Sequence, residues 1–210
     1  MHRDGEGRLH LAVAVVGAWS RTLDYDLTWL NGALPMRYPR TRRIVRWDNI
    51  WYSQVQALLA AEGTRKEPVQ LHVSAMTGTI WSEHLVRYLM DHADGVVFAA
   101  ETDRWRLEAT QEAHGWLEAW RARREQPVVV YQFDESANTG VDHVGEVEQP
   151  LSPDELRAAL DCGEHPWFAS KAVEARDVRQ VFRAIVDLLL EAEARGVLVD
   201  RPLPAPIERL

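Results

Sequence analysis

Cysteine is almost missing from this 210-residue sequence: Cys162 stands alone, which excludes an internal disulfide framework and any cysteine-rich metal site. A basic surplus is missing too. Lys and Arg number 24 against 32 Asp and Glu, a net charge of -8, so no general affinity for nucleic acid or anionic lipid is expected, both being polyanions. No apolar run approaches the roughly 18 residues of a membrane span, and no charged-then-apolar leader with a small-residue cleavage site opens the chain. The expected compartment is the cytoplasm, without membrane insertion. There is no H-E-x-x-H, and His84 and His92 lie eight residues apart, too far along a helix to grip one ion, so no metal is expected. Ser74, Ser82 and Ser170 invite pairing with a histidine, but the G-x-S-x-G elbow of a serine hydrolase is absent.

What is present is a globular composition, 46% hydrophobic and 27% charged, at a length that can bury a sizeable core. Nine tryptophans are more than one core usually needs. Arginine is concentrated locally at Arg37, Arg40, Arg42, Arg43 and Arg46. Residues 1–195 read as one domain. The remainder, 196–210, holds Pro202, Pro204 and Pro206 without helical periodicity and reads as an extended or disordered tail.

Along the chain, apolar positions Leu11, Val13, Val15 and Val16 predict a buried strand. Leu23, Leu27 and Leu30 then recur at helical spacing behind Ser20 or Thr22 as N-cap. "RRIVRWD" (42–48) reads as a strand and 53–61, with Val55, Leu58 and Leu59, as a short helix. "VQLHVSAM" (69–76) alternates like a strand that Thr77 and Gly78 break. Trp81, Leu85, Tyr88 and Leu89 give an amphipathic helix over 80–92. "GVVFAA" (95–100) and "PVVVYQF" (127–133) are strands buried on both sides, as in parallel sheets. Between them Trp105, Ala109, Ala113, Trp116 and Trp120 form one helical stripe. Ser152, Pro153 and Glu155 spell an N-cap, a first-turn proline and a capping box. "PWFAS" is the last strand, and Val178, Val181, Phe182, Ile185, Leu188 and Leu189 mark the buried side of a closing helix. Strands alternating with helices predict an α/β fold, doubly wound around a mostly parallel sheet with helices on both faces. Ligands of such sheets sit at the carboxyl ends of the strands.

At the first of those ends stands "GAWSRTLD" (17–24), where a phosphate loop would read G-x-x-x-x-G-K-[ST]. The succession "VAVVGAWSRTLDYDLTWL", "SAMTGTIWSEHLVRYLMDHADGVVFAAE", "PVVVYQFDESA" and "LSPDELRAALDCGEHPWFASKAVEARDVRQVFRAIVDLLL" resembles the Ras-like small GTPases, most of all the bacterial gliding-motility (MglA-type) branch. The resemblance runs from about residue 11 to about 190, is strongest after Ala93 and weakest over 37–68. It rests on element order and on the D-G-V-V-F strand behind an amphipathic helix.

The resemblance implies a G-domain topology with a dismantled nucleotide site. Gly17 matches the first loop position, whereas Thr22, Leu23 and Asp24 stand for Gly, Lys and Ser/Thr. A branched side chain, an apolar one and a carboxylate replace close backbone, positive charge and a magnesium ligand. The third-strand T-V-P-G-Q of the branch is matched by 75–79, with Gly78 kept and Thr79 too short for a water-positioning glutamine. The guanine-reading N-K-x-D has no counterpart, only Asp134 or Glu135 in the acid's place; Ser170 belongs to an S-A-K-like echo at 169–171.

The implied protein is a catalytically inactive, nucleotide-free pseudo-GTPase without cofactor. It works as a protein-binding adaptor or regulator, with a small GTPase or a roadblock-type protein as partner. Its docking surface falls on Arg37, Arg40, Arg43, Arg46, Trp47, Trp51 and Trp81; the plainer reading of the same arginines is the solvated face of an edge strand. An atypical GTPase that holds nucleotide through backbone amides and hydrolyses it slowly is the alternative. A flavodoxin-like small-molecule enzyme sharing only the βα rhythm is the third.

Overall fold

The computed structural model describes residues 2–17, 43–47, 50–59, 67–78, 83–102, 104, 107–122, 125–133, 150–163, 165–170 and 175–198. Its strands are β1 (His2–Arg3), β2 (Leu9–Val16), β3 (Arg43–Trp47), β4 (Ile50–Leu59), β5 (Val69–Gly78), β6 (Gly95–Glu101), β7 (Val128–Phe133) and β8 (Trp167–Ser170). The helices are α1 (Glu83–His92), α2 (Leu107–Arg121), α3 (Pro153–Leu160) and α4 (Ala175–Ala194).

The strands join in the order β3-β4-β5-β2-β6-β7-β8, and β1 pairs with β2 off this path. Every pair from β5 through β2, β6 and β7 to β8 is parallel. The β3/β4, β4/β5 and β1/β2 pairs are antiparallel. The architecture is therefore α/β, a mixed and mostly parallel sheet. Strand alternation sends one set of side chains to each face. On the first face Leu11, Val13, Val15, Leu71, Val97 and Tyr131 pack against Val178, Phe182, Ile185 and Leu189 of α4. On the second, Ala14, Val16, Val96, Phe98 and Val130 pack against Met90 of α1, Leu117 of α2 and Leu156 of α3.

The D-G of the D-G-V-V-F segment has a structural reason on each side. Asp94 clamps Ala12 of β2: its backbone N–H donates to the Ala12 carbonyl at 2.7 Å, and its Oδ2 accepts the Ala12 N–H at 2.8 Å. Gly95 lets α4 approach, because a Cβ there would stand 3.0 Å from Ile185 Cδ1 and 3.2 Å from Leu189 Cδ2.

Three expectations are corrected. Residues 53–59 are strand, not helix: β4 pairs with β5 in unbroken antiparallel register from Ile50↔Gly78 to Leu59↔Val69. The ladder satisfies its backbone groups, and Ile50, Trp51, Tyr52 and Val55 suit a pleated surface. The break at Thr77 and Gly78 is absent, since β5 runs through Gly78 opposite Ile50. The buried stripe of α2 is Thr110, Ala113, His114, Leu117 and Trp120. Ala109 is exposed and Trp116 half-buried, so that stripe is rotated from the one read in the sequence; Trp105 lies outside the described residues. The closing helix agrees with its sequence pattern except that Leu188 is only half-buried. At its end Val197 N–H returns to the Ala192 carbonyl at 3.0 Å and Leu198 packs on the first core, so the stretch from 196 starts docked. The helix expected over 23–30 falls outside the described residues.

The capping box at α3 is present in full. Ser152 Oγ accepts the Glu155 N–H at 3.2 Å and Glu155 Oε2 accepts the Ser152 N–H at 2.8 Å. The Ser152 backbone bond, Arg104 and the Ser152 hydroxyl, in that order, hold the Glu155 carboxyl down to about 2. Ser152→Ala is expected to destabilise the protein by about 1 kcal/mol, read as a lower urea midpoint at unchanged slope; a midpoint equal to the parent's would contradict the cap.

Candidate functional site at the carboxyl edge of the sheet

The parallel strands, numbered among themselves in chain order, run 2-1-3-4-5 across the sheet, with β2 as the first, flanked by β5 and β6. The order reverses beside β2. In sheets of this order the crevice outside the carboxyl ends at the reversal is where ligands bind. Gly17 leaves β2 at that point with φ of 157°. Gly78 ends β5, Glu101 ends β6 and pairs with Phe133 at the end of β7, and Ser170 ends β8 opposite Phe133.

The chemistry of this edge, among the described residues, is neutral to acidic. Glu101 is 1% exposed and Thr102 5%, so a carboxyl group is buried at the end of the strand next to β2. The Thr102 backbone bridges two neighbours, donating to Phe133 at 3.2 Å and accepting from Leu151 at 2.8 Å, and ties the edge to the start of α3. Ser170 Oγ is bonded to the Tyr131 hydroxyl at 2.9 Å, not to a histidine. Beyond this edge two exposed ion pairs are described, Arg104 with Glu155 at 2.9 Å and Arg176 with Asp177 at 3.3 Å. A polyphosphate gains most from cationic side chains and free backbone N–H groups.

Of the residues singled out in the sequence, Gly17, Gly78 and Ser170 lie at this edge. Thr22, Leu23, Asp24, Thr79 and Asp134 lie outside the described residues, as do Arg37, Arg40, Arg42 and Trp81. Arg43, Arg46 and Trp47 belong to β3, which among the described strands is the outermost of its side of the sheet. Arg46 stands opposite Trp51 of β4, Trp47 opposite Ile50 and Arg43 opposite Gln54. The Arg- and Trp-bearing segments are thus brought side by side on one antiparallel hairpin at a sheet edge.

Two polar clusters escaped the sequence. At the opposite, amino end of the sheet, Asp4, His10 and His72 form a hydrogen-bonded chain. Between α2 and the loop before β8, Arg121 donates to Glu118 at 3.0 Å and to His165 Nε2 at 2.6 Å, and His114 Nε2 lies 3.4 Å from Cys162 Sγ. Burial and the nearby Glu118 push the Cys162 thiol up to about 12. The thiol stays protonated and buried, the opposite of an activated nucleophile. No local signal marks either cluster: His10 and His72 are 62 residues apart. Among the described residues no group of three or more His, Cys, Asp or Glu is arranged to hold a metal ion. No described helix is long and apolar enough to cross a membrane.

No protein-family model matches the chain, and no curated protein matches it in sequence.

Proposed function

We propose that this chain is a Ras-like pseudo-GTPase, a domain that keeps the position of a phosphate loop but has lost its chemistry and works by binding other proteins. The observation that carries the reading is Gly17. It leaves β2 where the strand order reverses, and the four positions after it lead to Thr22, Leu23 and Asp24 in place of glycine, lysine and a hydroxyl. Lysine supplies the charge that pairs with the β- and γ-phosphates, and the hydroxyl supplies a magnesium ligand. Leucine and aspartate supply neither. The antiparallel β3–β4 hairpin, standing between β2 and β5 in the chain and outside β5 in the sheet, favours this reading over a flavodoxin-like enzyme, whose first crossover is helical. The same hairpin carries Arg43, Arg46, Trp47 and Trp51, residue types that anchor protein interfaces. The proposed partner is a small GTPase or a roadblock-type protein docked on the surface that also includes Arg37, Arg40 and Trp81.

The test is a melting curve with millimolar GTP or GDP and magnesium. A ligand at 100 times its dissociation constant would stabilise by about 2.7 kcal/mol, several degrees for a domain of this size. The expected outcome is no shift with either nucleotide. A clear rise would replace this reading with the atypical GTPase.

A further inference from the structure

We propose that His114, Glu118, Cys162 and His165 are the ligands of a structural zinc ion, bound when Arg121 gives way and stapling the turn before β8 to α2. Two imidazole nitrogens, a carboxylate oxygen and a sulfur form a mixed set that suits zinc in a closed, four-coordinate site. They arrive as two short pairs. His114 and Glu118 lie one turn apart on α2 and so share a face of the helix, and Cys162 and His165 lie three residues apart. A tight turn brings the second pair round: Asp161 and Gly163 take left-handed φ of 48° and 56°, and the His165 N–H returns to the Cys162 carbonyl at 3.4 Å.

The atoms are spaced as a coordination shell requires. Zinc bonds of about 2.0–2.1 Å to nitrogen or oxygen and about 2.3 Å to sulfur, at tetrahedral angles, set neighbouring ligand atoms roughly 3.3–3.6 Å apart. Cys162 Sγ lies 3.4 Å from His114 Nε2, and His165 Nε2 lies 3.4 Å from Glu118 Oε1. His114 Nε2 stands 3.7 Å from that same oxygen. These three distances link all four groups, and both histidines turn the same nitrogen inward. The His114 ring is buried and packs T-shaped against Phe98 at 5.4 Å between centroids, which fixes its direction.

A cation already stands beside two of the ligands. Arg121 Nη1 lies 2.6 Å from His165 Nε2 and 3.0 and 3.2 Å from the two Glu118 oxygens, and with the guanidinium there the group is not arranged to hold an ion. Arg121 is only partly satisfied in that place. Its Nε is buried without a hydrogen-bond partner, while the side chain is 30% exposed and can withdraw to water. The exchange puts one cation in the place of another, so Glu118 keeps its compensation. Burial, the first influence on both rings, holds His114 and His165 below the ordinary histidine range, and a neutral imidazole is the form that ligates. Cys162 must lose its proton: the S–H bond gives way to an S–Zn bond and the proton passes to the buffer.

The experiment is an absorbance titration of the full chain, stripped with a chelator, first with Co²⁺ and then with Zn²⁺. Expected are saturation at one equivalent of cobalt, a sulfur-to-cobalt charge-transfer band with the visible bands of tetrahedral cobalt, and bleaching of both by one equivalent of zinc. About one proton should be released per ion near pH 7. Cys162→Ser is expected to remove the charge-transfer band. Glu118→Gln, on a half-exposed side chain, should weaken zinc on the order of tenfold or more, and Arg121→Ala should tighten it about tenfold, one charged hydrogen bond no longer being displaced. Circular dichroism reports the fold of each variant, and the Glu118 and Arg121 variants carry the test if Cys162→Ser folds poorly. No saturable cobalt spectrum, an octahedral spectrum without the sulfur band, or a zinc affinity that neither Glu118→Gln nor Arg121→Ala moves would overturn the site.

Discussion

Gly95→Val is expected to cost about 3 kcal/mol of stability, the upper end of what overpacking a core does, and Gly95→Ala about 1 kcal/mol. Gly95 opens β6 opposite Val13 of β2, under α4. The first added carbon would meet Ile185 Cδ1 at 3.0 Å, Ile185 Cγ1 at 3.2 Å and Leu189 Cδ2 at 3.2 Å. Ile185 and Leu189 are both fully buried, so neither can swing into solvent, and valine then adds two methyl groups to the same space. Urea unfolding of the two variants measures the effect. The cause is isolated by Ile185→Val, which removes the Cδ1 atom nearest the new carbon. Combined with Gly95→Ala it should recover part of the loss, a positive coupling in a double-mutant cycle. Full additivity, or a valine variant within about 0.5 kcal/mol of the parent, would show that α4 does not press on this position.

Asp94→Ala is expected to cost about as much, by a different route. Removing the carboxylate strips the Ala12 N–H of its acceptor at 2.8 Å, in the middle of a buried strand. Charged hydrogen bonds contribute about 1.5–3 kcal/mol, and a buried donor left unpaired costs about 1–3 kcal/mol. Asp94→Asn retains a carbonyl acceptor and should lose about half as much. Because β6 starts only at Gly95, Asp94 substitutes for a missing strand neighbour of Ala12. Amide exchange at Ala12 should accordingly rise in the alanine variant more than at Val15 or Val16. Unchanged protection of Ala12 would mean that another group takes over the bond.

The Asp94-Gly95 pair also shows why a resemblance can be legible while its chemistry is not. The D-G-V-V-F run carried much of the family likeness, yet its first two residues clamp β2 and admit α4, which are packing tasks. The residues that would hold nucleotide are a separate matter, and at positions 22–24 the sequence reads against them.

Elements whose signals are local were readable from the chain. The box at Ser152 and Glu155 closes over three residues. β6 and β7 are continuous apolar runs because both faces of the sheet are covered. The periodicity of α4 follows from one helix facing one core. The segment 53–61 resembles a helix because Val55, Leu58 and Leu59 fit a helical stripe as well as a strand; ten residue pairs with β5 make 50–59 a strand. The orientation of the α2 stripe was likewise set by α1, where Asp91 Oδ1 accepts the Trp120 indole N–H at 3.2 Å, and not by α2 alone.

Local spacing by itself determined that this chain alternates strands and helices, where its strongest cap lies, and that no lysine follows Gly17, since each of these depends on neighbours within a few residues. Only the tertiary structure decided which strands lie side by side. Register then placed His10 beside His72, put the Arg43–Trp47 strand at the sheet's edge and buried Glu101 next to the switch point. Those contacts join residues tens of positions apart, and their cost in chain entropy is met by the whole sheet forming at once, so no short stretch of sequence carries a trace of them.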